Sequence, residues 1–111
     1  MIFDVQISEQ AELDLRNICN YIAFELLSPE NAARQFDRLE EAIGKLDHMP
    51  EKYRRYEREP WRSRGVRFFP VDSYLVFYIP DMNTQIVTII RVIYGGRDIN
   101  KELNRHTKND A

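Results

Sequence analysis

The chain has 111 residues, 43% of them hydrophobic and 12% aromatic, which indicates a single globular domain with its own core. A single cysteine excludes an internal disulfide, and the formal net charge of −2 excludes a protein that is basic throughout. No apolar run approaches the roughly 20 residues that cross a bilayer, and the acidic N-terminal segment does not resemble a signal peptide. We therefore expect a cytoplasmic protein with no membrane partner.

The first half of the chain predicts one strand followed by two helices. Residues 2–7 alternate well enough for a short strand, and Ser8 can then cap a helix. Pro29, after Ser28, fits the first turn of a second amphipathic helix, and so short a connection predicts an antiparallel hairpin. The first helix carries one apolar stripe that we expect to be core: Leu15, Ile18, Cys19, Ile22 and Leu26. Cys19 is interpreted as a small buried hydrophobe rather than a nucleophile.

The second half predicts a long loop, three strands and a short helix. Residues 51–64 have no period, and a loop of this length in a small domain suggests a functional role. Apolar β-type runs then predict strands at 66–71, 74–79 and 86–94, with the last strand central in the sheet. A short helix is expected around 99–103, and residues 104–111 are expected to form a flexible tail. The predicted fold class is α+β, in the order β-α-α-β-β-β, with the helical hairpin packed on a curved antiparallel sheet and one domain spanning 1–111.

The long loop concentrates positive charge. Seven basic and three acidic residues lie between Glu51 and Pro70, so this stretch carries +4 and the rest of the chain −6. Such an island can dock one anionic partner, or it can be a solvated loop; alone it would not support tight non-specific nucleic-acid binding. Trp61 has two interpretations as well: an exposed group that stacks on a base or partner, or a core anchor that pins the loop.

Candidate chemistry is limited to arginines and tyrosines. His48 and His106 lie 58 residues apart with no ligand spacing around either, so neither a metal site nor a cofactor is expected. A histidine-free ribonuclease is conceivable, with cations that stabilise the phosphorane and a tyrosine that moves protons. The candidates by residue type are Arg64, Arg67, Arg91, Arg97, Tyr74, Tyr78 and Tyr94.

Arg91 lies in the middle of the most apolar strand. Strict alternation places Ile90, Val92 and Tyr94 on one face of that strand, and Arg91 on the other with Ile89 and Ile93. Arg91 is then either a cation on an open sheet face or an arginine paired with a nearby acid.

Two segments of the chain resemble the RelE/ParE superfamily of type II toxin–antitoxin toxins. The first is DVQISEQAELDLRNICNYIAFE, a strand that runs into Ser, Ala-x-x-Asp-Leu and Ile-x-x-Tyr-Ile. The second is RGVRFFPVDSYLVFYIPDMNTQIVTIIRVIYGGRDINKEL, with a Tyr-Leu-Val-Phe-Tyr strand and an Ile-x-Arg-Val-x-x-Gly-x-Arg-Asp ending. The resemblance covers residues 3–103 in order and implies the same β-α-α-β-β-β fold.

Departures from the RelE pattern favour the ParE-like branch. RelE-like members cut mRNA on the ribosome with basic residues and a C-terminal tyrosine, whereas ParE-like members poison DNA gyrase. Arg97 matches the family arginine after the last strand. The arginine that follows the strand tyrosine is replaced by Leu75, however, no tyrosine follows Arg97, and the paired lysines are replaced by Val66 and Phe68.

The resemblance therefore implies a ParE-like toxin that binds gyrase. It would be neutralised by a cognate antitoxin of the ribbon-helix-helix type, commonly in a heterotetramer. The expected partner-binding residues are Arg64, Arg67, Tyr74, Tyr78, Arg91, Tyr94 and Arg97. Two alternatives remain open: an mRNA endonuclease that uses Arg97, Arg67 and Arg91, and a non-toxic degenerate member of the family that only binds.

Overall fold

The computed structural model describes residues 2–106, the last of them without its side chain. Its elements follow the predicted order: β1 Asp4–Ile7, α1 Glu9–Asn20, α2 Pro29–Gly44, β2 Arg67–Val71, β3 Tyr74–Asp81, β4 Ile86–Tyr94 and α3 Ile99–His106. A π-helical turn at Tyr21–Glu25 extends α1, and a 3₁₀ turn at Lys45–Asp47 ends α2. No helix within residues 2–106 is long and apolar enough to cross a membrane.

The helix starts follow the capping rules. The Ser8 hydroxyl accepts a hydrogen bond from the Ala11 N–H at 3.1 Å, which confirms the predicted cap. Pro29 occupies the first turn of α2, although the side chain of Ser28 makes no capping hydrogen bond. At the other end of the chain α3 continues to His106, so residues 104–106 of the expected tail are helical. Residues 107–111 lie outside the described part.

The four strands form one sheet in the order β1-β4-β3-β2. The pairs β2–β3 and β3–β4 are antiparallel as predicted. β1 runs parallel to β4, with Val5 opposite Val87. The sheet is therefore mixed rather than antiparallel throughout. A parallel pair cannot be joined by a tight turn, and β1 and β4 are separated in the chain by both helices and two strands, which is connection enough.

A bulge in β4 changes which side chains share a face. Phe77 pairs with Arg91 and Tyr78 with Ile89, so Ile90 is the extra residue. Ile89 and Val92 consequently pack together under the helices, while Ile90 lies with Ile93 on the other side. The strict alternation expected for this strand is wrong around Ile90 for that reason.

Both faces of the sheet are covered, and each has its own core. The helix-side core packs α1 and α2 on the sheet through residues such as Leu15, Leu39 and Val76. The α3-side core lies opposite and joins Trp61, Phe77 and Leu103 beneath the long loop and α3. The sheet thus separates a helix layer from a layer made of the loop and α3, and every candidate surface belongs to one of these two sides.

Candidate functional site

Arg91 is buried and engaged inside the molecule. Its Nε donates to Asp14 Oδ2 at 2.7 Å and its Nη2 to Asp14 Oδ1 at 3.1 Å, while its Nη1 reaches the carbonyl oxygen of Glu102 at 2.6 Å. The side chain is 4% exposed. Arg91 is therefore an arginine paired with an acid and not a cation on an open sheet face. Arg91 ties α1, β4 and α3 together and does not present its guanidinium to a partner.

Tyr78 and Arg67 also act within the fold. Tyr78 is fully buried, its hydroxyl donates to the Pro50 carbonyl at 2.6 Å, and burial raises its pKa well above the ordinary value. Arg67 is 14% exposed, and its Nη1 donates to the carbonyls of Glu51 at 3.1 Å and Tyr53 at 2.7 Å. Both side chains fix the start of the long loop against the sheet. Neither has the exposure that direct contact with a partner needs.

The long loop is packed onto the α3-side core. Trp61 is fully buried, and its Nε1 donates to Asn104 Oδ1 at 3.0 Å, so the core-anchor interpretation is the one observed. The Arg64 guanidinium lies 5.3 Å from the centre of the Trp61 ring. Arg55 pairs with Arg67 along the outer edge of β2, which lengthens the sheet by an isolated bridge. The loop is therefore an ordered segment that covers the α3-side core.

Tyr74 and Tyr94 lie together at the end of the β3–β4 hairpin. Their rings are in edge contact with centres 6.0 Å apart, and burial raises the pKa of Tyr74. Tyr94 is half exposed and lies over Gly96, where a Cβ would come within 2.4 Å of the ring. Gly96 is thus required for the ring position. These two tyrosines, unlike Tyr78, stay available to a partner.

Arg97 is the most exposed of the three candidate nuclease arginines. Its side chain is 62% exposed, and its Nη1 lies 3.5 Å from Glu102 Oε1, a carboxylate that it shares with Arg105. Arg67 and Arg91, by contrast, lie on opposite sides of the sheet: Arg67 alternates with Phe69 on the helix side, and Arg91 is opposite Phe77 on the α3 side. The three arginines do not converge on one site.

A groove on the helix layer was not predicted from the sequence. A groove of about 680 Å³ runs between α1 and α2, with an apolar floor that includes Leu15, Ala23, Ala32 and Phe36. Phe24 lines its end and is 70% exposed. Nearby on the same tip of the hairpin are three more exposed apolar side chains: Tyr21, Leu26 and Leu27. We call the groove together with these four tip residues the hairpin groove.

The π-helical turn explains why the hairpin tip is apolar and exposed. In this turn the Leu26 N–H bonds to the Tyr21 carbonyl, five residues back, so the turn is wider than an α turn. The apolar stripe therefore ends at Ile22, which is buried, and Leu26, predicted to be core, is 56% exposed. The exposed tip could have been predicted from residues 21–27, which contain more large apolar residues than a single helical stripe can bury.

Other reactive groups offer little chemistry. Cys19 is partly buried in the wall of the hairpin groove, and burial raises the pKa of its thiol, which disfavours the reactive thiolate. Among the residues that the structure describes, no group of three or more His, Cys, Asp or Glu side chains could hold a metal ion.

The decisive comparison is with protein families. Residues 5–99 match the family described as the ParE toxin of the type II toxin–antitoxin system, parDE. The chain belongs to the ParE toxin family. None of the curated proteins that were compared matches it.

Solved structures share the fold of this ParE-family protein. The chromosomal ParDE system from P. aeruginosa superposes with a TM-score of 0.69 at 18% identity, covering 84% of this chain and 96% of that one. The RelBE2 toxin–antitoxin complex from Mycobacterium tuberculosis gives 0.59 at 22% identity, with 85% and 99% covered. A double-arginine variant of the E. coli toxin RelE in the free state gives 0.61 at 14% identity, with 96% and 99% covered.

Proposed function

We propose that this ParE-family protein is a cytoplasmic toxin that inhibits DNA gyrase by binding it, and that a cognate antitoxin neutralises it. We favour binding over RNA cleavage because Arg67, Arg91 and Arg97 lie apart from one another. General acid–base or electrostatic catalysis needs its groups around one reacting phosphate. Here Arg67 bonds to the start of the long loop, Arg91 is buried against Asp14, and Arg97 is exposed beside Glu102.

The replaced positions support the same choice. Leu75 occupies the position of the RelE-type arginine, and it packs against the α3-side core rather than facing solvent as a cation would. The sequence after Arg97 contains no tyrosine. The tyrosine and the strand arginine of the RelE pattern are therefore both absent from their positions, which favours docking as the role of Arg97.

Gyrase inhibition is tested with purified protein and two parallel assays. We expect loss of gyrase supercoiling activity and no cleavage of ribosome-bound mRNA. The reverse result would establish the endonuclease alternative, and inactivity in both assays would indicate a family member that only binds an antitoxin.

Arg97 provides the sharper version of this test. Arg97→Ala is expected to weaken gyrase inhibition about tenfold or more, because a charge-assisted hydrogen bond contributes about 1.5–3 kcal/mol. The matched control is Arg105→Ala: both arginines are more than half exposed and share the Glu102 carboxylate, so both variants lose the same charge and the same partner. Equal effects of the two variants would exclude a specific role for Arg97.

The hairpin groove supports antitoxin binding on the helix layer. An antitoxin segment that folds on its target must bury apolar side chains to offset the loss of its own conformational freedom. The groove offers Phe24 and Leu27 at exposures of 70% and 82% beside an apolar floor. The P. aeruginosa relative belongs to a ParDE system, and the M. tuberculosis structure is a toxin–antitoxin complex. We propose that a ribbon-helix-helix antitoxin places its C-terminal segment here, in a heterotetramer that light scattering of the purified complex would detect.

A further inference from the structure

The two layers of the molecule carry opposite charge. Residues 9–47, which include both helices, contain nine acidic and four basic residues, a net charge of −5. Residues 54–64 and 97–105, which belong to the other layer, contain eight basic and four acidic residues, a net charge of +4. We call this second surface the loop–α3 face. The sequence shows the basic loop, and the fold adds three cations from α3 and the turn before it.

Most acids on the loop–α3 face are already engaged. Glu59 accepts from the Ser63 hydroxyl, Asp98 accepts from the backbone N–H of Lys101 at the start of α3, and Glu102 pairs with Arg97 and Arg105. Three exposed arginines of this face, in contrast, form no ion pair with any carboxylate of the described residues: Arg54, Arg58 and Arg62. Arg55 is paired with Arg67 across the edge of β2, so its side chain lies on the helix side of the sheet. The face therefore presents guanidinium groups whose charge is not compensated locally.

Contacts to α3 and to the sheet fix the loop that carries these arginines. Tyr56 donates from its hydroxyl to Asn100 Oδ1 at 3.3 Å, and Trp61 bonds to Asn104, so the loop is attached to α3 at two points. The Arg54 guanidinium lies 4.8 Å from the centre of the Phe68 ring. A pre-ordered cationic surface loses little conformational entropy when it binds.

The face lacks what a peptide or a single strand would need. Within residues 54–64 and 97–105 no large hydrophobic side chain is exposed, and Trp61 and Leu103 are fully buried. A folding peptide would have no apolar surface to bury, and unstacked bases would have no exposed ring on which to stack. A duplex phosphate backbone needs only cations, and arginine is the side chain that binds phosphate in bidentate fashion.

We propose that the loop–α3 face binds the phosphate backbone of duplex DNA, without reading sequence, through Arg54, Arg58 and Arg62. The binding is salt-dependent, and the acidic helix layer points away from the duplex. This inference is independent of the proposed function, since it concerns DNA in the absence of gyrase.

Fluorescence anisotropy of a labelled mixed-sequence duplex of about 20 base pairs, titrated with the full chain between about 50 and 200 mM NaCl, tests the proposal. Three phosphate contacts predict a slope of log affinity against log salt of about −2.7. In the triple variant Arg54→Gln, Arg58→Gln, Arg62→Gln the slope should fall close to zero, and the affinity at the lower salt should fall at least tenfold.

The matched control removes the same charge from the helix layer. Arg16→Gln, Arg34→Gln, Lys45→Gln replaces three exposed cations there, so both variants have the same net charge. Its affinity should stay within about twofold of the original, because only phosphate contacts set the salt-dependent term. If circular dichroism shows that the loop variant does not fold, the double variant Arg58→Gln, Arg62→Gln replaces it, since these two side chains are exposed.

Four results would overturn the proposal. They are absence of duplex binding at the lower salt, equal loss of affinity in the loop and helix variants, tighter binding of a single strand of the same sequence, and equally tight binding of poly-L-glutamate. The last result would assign the face to acidic polypeptides. None of these results would bear on gyrase inhibition, which is measured separately.

Discussion

Replacement of Arg91 by methionine is expected to lower the free energy of unfolding by about 3–5 kcal/mol, because the Asp14 carboxylate then stays buried without its cation. The two side chains are 4% and 9% exposed, and their closest atoms are 2.7 Å apart. The change also leaves the Glu102 carbonyl without its donor at 2.6 Å. Asp14 keeps two neutral donors, the Val92 N–H at 3.0 Å and the Gln10 side-chain amide at 3.3 Å, which do not neutralise its charge.

The expected loss is large for a domain of this size. Total stabilities are about 5–15 kcal/mol, so this single substitution removes a major fraction. At roughly 4 °C per kcal/mol the melting temperature should fall by about 12–20 °C. Urea unfolding followed by circular dichroism measures the free energy directly.

Arg38→Met is the matched control. Arg38 bonds to Asp72 through two contacts of 2.7 Å, the same bidentate geometry, but its side chain is 65% exposed. Exposed pairs of this kind contribute little, so the control should leave the midpoint almost unchanged. The double variant Asp14→Leu, Arg91→Met should recover most of the lost stability, since no charge then remains buried. If Arg91→Met and Arg38→Met shift the midpoint equally, burial is not what gives the Asp14–Arg91 pair its importance.

Three further predictions concern other contacts. Tyr78→Phe should cost about 1–3 kcal/mol of stability, because the Pro50 carbonyl loses its buried donor, while antitoxin affinity measured by calorimetry stays unchanged. The hydrogen bond from Arg38 holds the pKa of Asp72 below its ordinary value of 3.8, so the ionised carboxylate stabilises the fold above that pH. This contribution is lost as pH falls through the lower pKa that Asp72 has in the folded protein. Arg38→Met should therefore raise the pKa of Asp72 measured by NMR titration. Phe24→Ala should weaken antitoxin binding about tenfold or more with no loss of stability, whereas Met82→Ala on the distant β3–β4 turn should not.

Local patterns in the sequence were enough to predict the order of the elements. Helical spacing, the Ser8 cap and Pro29 mark the two helices, and apolar β-type runs mark the last three strands. These signals depend on neighbouring residues, so they survive folding largely unchanged. The direction of β1 depends instead on which strand it pairs with, and this is set by the path of the whole hairpin across the sheet.

The candidate site was harder to predict, because residue type does not determine exposure. Arg91 and Arg97 are six residues apart, yet one is buried against α1 while the other faces solvent. Asp14, which decides the role of Arg91, is 77 residues away in the sequence. The extra residue at Ile90 also reverses the face assignment in the first part of β4, and no local pattern announces a bulge of this kind.

The two proposed surfaces differ in the chemistry that a partner must bring. The hairpin groove is apolar and belongs to the acidic layer, so it favours a partner that buries hydrophobic side chains and tolerates negative charge. The loop–α3 face carries unpaired cations without exposed apolar side chains in its described residues, so it favours a polyanion. Because the sheet lies between the two layers, occupation of one surface leaves the other open. An antitoxin segment bound in the hairpin groove should therefore leave the affinity for duplex DNA unchanged, and a competitive effect would mean that the two ligands share a surface.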